Sequence, residues 1–144
     1  MVVEGEVCAE VHQVFSPWVS QVLRVYKHDL ALEMDWLVGP IPIDDHKGRE
    51  VVTRVVFPDM TTNNTFFTDS NGREMLRRVN DYRETWVVDN QEPVAGNYYP
   101  VNSRIIIQDA NDPTVKAALL NDRSQVSRAI PGLIHVLVSR RLYD

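Results

Sequence analysis

The sequence predicts an all-β chain, an antiparallel β-sandwich, and three observations carry that expectation. Apolar and polar residues alternate with a period of two in several runs, most cleanly over residues 30–38. β-Branched runs such as Val51–Val56 and Ile105–Ile107 stop at Pro58 and at the polar cluster Asp109-Ala110-Asn111-Asp112-Pro113. No stretch keeps a helical apolar period long enough for a stable helix. The nearest candidate, residues 72–83, places Met75, Leu76 and Val79 on one side but is short and ends at Asn80-Asp81.

Taken in order, residues 5–15 (GEVCAEVHQVF) alternate with Val7, Ala9 and Val11 on one face and Cys8, Glu10 and His12 on the other, a half-buried strand. Ser16-Pro17 breaks it, and residues 18–27 read as a second strand turning at Lys27-His28-Asp29. Leu30, Leu32, Met34, Trp36 and Val38 then alternate with Ala31, Glu33, Asp35 and Leu37 up to Gly39-Pro40. After the polar loop 44–48, residues 50–57 form a β-branched strand. Residues 72–83 are expected to be a strand or an irregular segment leading into Trp86-Val87-Val88. Residues 104–108, 114–120 and 133–138 complete about nine strands joined by short turns.

At 144 residues, 44% hydrophobic and 24% charged, the chain has the size and balance of one globular domain spanning 1–144. A net charge of −5 gives no electrostatic case for a nucleic acid or an anionic membrane as partner. The basic residues Arg73, Arg77, Arg78 and Arg83 are interleaved with Glu74, Asp81 and Glu84, which reads as a solvated mixed face. No apolar run approaches the length of a membrane helix. The first residues, MVVEGEVCAEV, lack the basic start and long apolar core of a signal peptide. Cys8 is the only cysteine and reads as a small buried thiol or as the partner of a segment outside the chain.

The most informative stretch runs from Thr65 to Arg104. Asn71-Gly72 is the strongest turn dipeptide in the chain, because both residues tolerate positive φ. Asp69 and Ser70 are placed to bond forward to backbone amides and close that turn. Downstream, Glu92-Pro93-Val94-Ala95-Gly96-Asn97-Tyr98-Tyr99-Pro100-Val101-Asn102 is bounded by two prolines, with a bend at Gly96-Asn97, and enters an apolar strand. On local chemistry alone these are two well-made turns. Asn63-Asn64-Thr65 is an N-glycosylation sequon at Asn63, which also reads as an unused match in a polar turn.

As a pattern, Phe67–Glu74, Asp81-Tyr82-Arg83, Glu92–Asn102 and the LEMDWLVGPIPIDD run resemble the C-terminal β domain of the zinc-dependent class II α-mannosidases, glycoside hydrolase family 38, closest to the lysosomal type. The resemblance implies a segment of a larger, galactose-mutarotase-like supersandwich that supports a retaining hydrolase of terminal α-mannosyl residues. It implies an aspartate nucleophile, a second carboxyl as acid/base, and a zinc ion held by two His and two Asp, all in an N-terminal α/β domain absent from this chain. It further implies the rest of the mannosidase polypeptide and mannose-containing glycans as partners, and the lysosome or secretory pathway as location. In VSRRLYD the family pattern puts an arginine of the Arg140-Arg141 pair at the rim of the catalytic groove, where a guanidinium fork suits sugar hydroxyls; the competing reading is two solvated strand-end cations. One departure stands out. Asp122-Arg123-Ser124-Gln125 matches, but the family's Gly-Gly-Ser-Ser-like loop is replaced by residues 126–132, VSRAIPG.

The chain by itself is expected to be inactive and to bind no metal. Its histidines, His12, His28, His46 and His135, have no two at ligand spacing; His12 and His135 read as satisfied strand residues and Asp44-Asp45-His46 as an exposed loop. No nucleophile has a base partner, and no Gly-rich phosphate loop is present. A different class of function stays open: a stand-alone sandwich binding carbohydrate through Trp18, Trp86, Tyr98 and Tyr99, each of which equally reads as core. A third is a structural interaction domain.

Overall fold

The computed structural model describes residues 1–142 and is built almost wholly from antiparallel strands. These are β1 (Val2–Glu4), β2 (Cys8–Ser16), β3 (Val19–Tyr26), β4 (Leu32–Val38), β5 (Arg49–Val56), β6 (Thr65–Thr68), β7 (Leu76–Val79), β8 (Tyr99–Val101), β9 (Arg104–Gln108), β10 (Lys116–Leu120), β11 (Gln125–Ile130) and β12 (Leu133–Arg141). One turn of 3-10 helix, Ala95–Asn97, occupies the bend expected at Gly96-Asn97. The strands form three sheets, ordered β1-β2-β3-β4, β10-β9-β6-β7 and β5-β12-β11-β8. The fold class read from the sequence holds.

The chain divides into two compact units, residues 1–51 with 139–144, and residues 52–138. The second unit owns the main core. Phe66 on β6, Ile105 and Ile107 on β9, Tyr99 and Val101 on β8, Ala129 on β11, and Ile134 and Val136 on β12 form one buried cluster. Its members come from two sheets, so their inner faces meet as in a sandwich. Alternation explains the choice of residues: along β9, Ile105 and Ile107 are fully buried while Ile106 between them is not. Phe66 and Tyr99 meet edge to face across this core at 5.6 Å between ring centres.

The first unit is a meander with two dissimilar faces. The register Val2↔Val11↔Leu23↔Met34 and Ala9↔Val25↔Leu32 places apolar rows on one side, where Phe15 stacks on Trp36 at 5.7 Å. On the other side Arg24 reaches Glu10 at 2.7 Å and Glu33 and Asp35 at 3.2 Å each. His12 also bonds Glu10, at 2.8 Å, which places it among the satisfied strand residues. The Glu10 carboxyl lies below its ordinary range because of Arg24 first and His12 second. Much of the apolar side is open to solvent: Val25 and Leu32 are each 52% exposed.

Three strand assignments differ from the sequence reading. Val2–Glu4 forms a separate strand paired with β2, where no strand was expected. Trp86-Val87-Val88 lies in irregular chain, and Trp86 is 61% exposed. Residues 126–132, read as a loop replacing a glycine-rich one, are instead mostly β11. Ser127 and Ala129 face the core, and Ile130↔Leu133 closes a two-residue turn over Pro131-Gly132 with Gly132 at φ 68°. Pro before a residue of positive φ is the chemistry of a tight reversal, and the alternation Val-Ser-Arg-Ala-Ile is that of a half-buried strand.

Candidate functional site

The Asn71-Gly72 turn is built from its own side chains and from partners about thirty residues away in the chain. Gly72 sits at φ 71° and donates its N–H to the Asp69 carbonyl at 2.7 Å. Asn71 Oδ1 accepts the Arg73 and Glu74 amides at 3.0 and 3.1 Å, an Asx turn. The Asp69 carboxylate, rather than bonding forward within the turn, accepts the backbone N–H groups of Asn102 and Ser103 at 2.9 Å each and of Arg104 at 3.3 Å, and the Ser103 hydroxyl. Asn102 returns the tie by donating Nδ2 to the Ser70 carbonyl at 3.1 Å. Burial raises the Asp69 pKa, but the Ser103 hydroxyl and the three amides outweigh it, so the carboxyl lies below its ordinary range.

A second cluster sits beside the first. Arg78 Nε donates to the Thr68 hydroxyl at 3.1 Å and its Nη2 to the Ser70 hydroxyl at 2.9 Å, while Ser70 donates onward to the Pro100 carbonyl at 2.7 Å. The Arg78 guanidinium lies 4.5 Å from the centre of the Tyr99 ring and that of Arg83 lies 4.8 Å from it. Burial pulls the Arg78 pKa down, opposed by Tyr99 and assisted by Arg83. Arg78 is therefore not part of a solvated mixed face, as its flanking acidic residues suggested. Nearby, buried Asn97 accepts the Asp81 amide at 2.8 Å and donates Nδ2 to the Asp81 carboxylate and the Pro93 carbonyl at 2.9 Å each. That bond holds Asp81 at φ 56°. The matched segments around Asp69, Asp81 and Asn97–Asn102 thus converge on one polar network. No local sequence signal discloses that convergence, since the bonds that join one segment to another, such as Asn97 to Asp81, Ser70 to Pro100 and Asn102 to Asp69, link residues far apart in the chain.

The two candidate arginines lie at the end of β12. Arg140 pairs with Glu50, so its charge is locally answered. Arg141 donates Nη1 to the Ile41 carbonyl at 2.7 Å and its side chain is otherwise exposed, which fixes one corner of the fork and leaves other donors outward. Asn63 is exposed at φ 47° and Asn64 follows at φ 58°, in a turn closed by the Thr65 amide on the Thr62 carbonyl at 2.9 Å.

Of the aromatic candidates, Tyr99 is core, Trp18 and Tyr98 are half-buried, and Trp86 is exposed. Burial, with Arg54 and Arg128 next, lowers the His135 pKa, favouring the neutral ring in the fold. Among the described residues no three His, Cys, Asp or Glu come together to hold a metal ion. Asp69 has its carboxylate oxygens taken up by backbone and hydroxyl donors, which makes it an anchor rather than a reacting group. No described helix is long and apolar enough to cross a membrane.

Comparison with known proteins is consistent across two approaches. The family described as "Glycosyl hydrolases family 38 C-terminal domain" matches residues 1–144. Lysosomal alpha-mannosidase of Mus musculus is 52% identical over 134 residues, 92% of this chain, and that of Homo sapiens is 51% identical over the same share. Alpha-mannosidase of Canavalia ensiformis is 43% identical over 141 residues, 97% of this chain. The chain spans only 13–14% of the length of these relatives.

Proposed function

This chain belongs to the glycosyl hydrolase family 38 C-terminal domains, and on that premise we propose that it works as the β-sandwich portion of a larger retaining α-mannosidase. In this reading it supports, and lines one edge of, a catalytic groove whose nucleophile, acid/base and zinc ligands belong to another part of the polypeptide. The observation that carries the reading is the family match over residues 1–144 together with the match of 92–97% of the chain to proteins named alpha-mannosidases, of which it makes up 13–14%. The same reading takes the chain through the secretory pathway toward the lysosome and makes Asn63 a glycan acceptor.

Of the two arginines, Arg141 is the better substrate contact. Among the described residues its guanidinium bonds the Ile41 carbonyl alone, whereas Arg140 is committed to Glu50. A positioned cation at the groove edge holds the hydroxyls of a mannosyl unit and costs little reorganisation when substrate arrives. The test is steady-state hydrolysis of a chromogenic α-mannoside by the complete polypeptide. Arg141→Ala should lower kcat/KM roughly tenfold or more, the worth of one charge-assisted hydrogen bond of about 1.5 kcal/mol, in a protein that still folds and whose melting temperature falls only by the loss of the Ile41 bond. Arg140→Ala should instead leave kcat/KM close to the parent value, with at most a small fall in melting temperature, since its pair with Glu50 is exposed. Unchanged kcat/KM in a folded Arg141→Ala protein removes Arg141 from the groove.

A further inference from the structure

We propose that the first N-acetylglucosamine of a glycan on Asn63 is seated in a preformed pocket on the outer face of the β10-β9-β6-β7 sheet. The inference rests on the secretory reading above and extends it from an acceptor residue to a built sugar site. An open pocket of about 320 Å³ lies on that face, and Asn63 itself is part of its wall, together with Thr65, Phe67, Arg77, Val79 and Gln108. The register shows why these side chains meet. Phe66 and Thr68 are fully buried, so their neighbours Thr65 and Phe67 point outward; Val79 lies opposite Thr65 and Arg77 opposite Phe67. Phe67 also pairs with Ile106 on β9, and Gln108 stands two residues further along on the same face.

The lining has the chemistry a pyranose takes. Phe67 and Val79 offer a half-buried apolar floor for the C–H face of the ring, and Arg77 and Gln108 offer donors and an acceptor to its hydroxyls and acetamide. Asp109 also borders the pocket, but its carboxylate is occupied by the amides of Thr61, Asn111 and Asp112 and belongs to the wall. Asn63 and Asn64, consecutive residues of positive φ, turn the chain where the exposed acceptor residue lines the pocket. In the transfer step Asn63 Nδ2 forms a C–N bond to C1 of the sugar. The bond from C1 to a lipid-linked diphosphate breaks, the diphosphate leaves with its electron pair, and one amide proton is lost. Because the sugar is then tethered to a residue of the pocket wall, a seat of low intrinsic affinity is filled at high effective concentration.

The test uses the complete polypeptide secreted from cells that leave its glycans high-mannose. Peptide mass spectrometry reads occupancy at Asn63, and hydrogen exchange is compared for the intact glycoform, the form trimmed enzymatically to one N-acetylglucosamine, and Asn63→Gln. The expected result is an occupied Asn63, with residues 65–68 and 76–79 exchanging equally slowly in the first two forms and severalfold faster in Asn63→Gln. Phe67→Ala and, separately, Gln108→Ala should exchange at the faster rate even when glycosylated. Equal exchange in all three forms of an occupied protein overturns the seat and leaves the secretory reading standing. An unmodified Asn63 in a polypeptide carrying glycans elsewhere overturns the inference at its acceptor. A polypeptide retained in the cytosol without any glycan overturns the secretory reading itself.

Discussion

Asp69 shows how a single side chain holds two distant segments together. Its buried carboxylate answers the backbone amides of Asn102, Ser103 and Arg104, so Asp69→Ala would strand several donors at once. The expected loss is about 2–4 kcal/mol, read from denaturant unfolding. Its pH dependence has a definite sign. The folded pKa is depressed, so the contribution is present above the unfolded value of about 3.9 and lost as pH falls through the lower folded value. Asp69→Asn should therefore be less stable at neutral pH but lose less stability than the parent on acidification below about pH 4. Gly72 makes a second residue-scale prediction. At φ 71°, with a built Cβ 3.2 Å from Asn102 Nδ2, Gly72→Val should cost about 1–3 kcal/mol by the same unfolding measurement. The dipeptide Asn71-Gly72 announced this turn because its chemistry is local. The destination of Asp69 was not legible, since its partners lie more than thirty residues on.

At the scale of elements, period-two alternation was a sound guide wherever one face is buried and the other is not. It marked β2 and β4, while β-branched and apolar runs stopped by turn residues marked β5 and β9; the expected strands at β3, β10 and most of β12 also formed, with only small differences at their ends. It missed β11, where Val126-Ser127-Arg128-Ala129-Ile130 buries Ser127 and Ala129 instead of large apolar residues. Small core-facing residues give a weak hydrophobic signal although the strand is central. The β11–β12 turn supplies a sharper test. A Cβ on Gly132 would stand 2.8 Å from the Phe57 carbonyl oxygen and 3.1 Å from that of Met60. Backbone cannot yield as Asn102 can, so Gly132→Ala should lower the melting temperature more than Gly72→Ala does. In the first unit, the exposed apolar rows of β3 and β4 invite association of copies of the isolated chain. Val25→Lys with Leu32→Lys should shift its sedimentation toward the monomer, and the same change at Glu10 and Glu33 on the charged face should not.

For the whole molecule, the sequence disclosed a β-sandwich and the membership of its family, and it located the segments that converge around Asp69 and Tyr99. It did not disclose how they converge, nor that Arg78 gives up solvent to stack on Tyr99, because flanking charges suggest exposure and only the fold reveals burial. Under the proposed function the chain contributes to mannoside hydrolysis only as part of a longer polypeptide. Residues 1–144, the remainder of that polypeptide, and the two co-expressed should be compared for zinc-dependent hydrolysis of a chromogenic α-mannoside. Neither piece alone should turn over substrate, and turnover should be recovered, together with co-purification, when both are present. Turnover by the 144-residue chain alone, or undiminished turnover by the remainder without it, would overturn the proposed function.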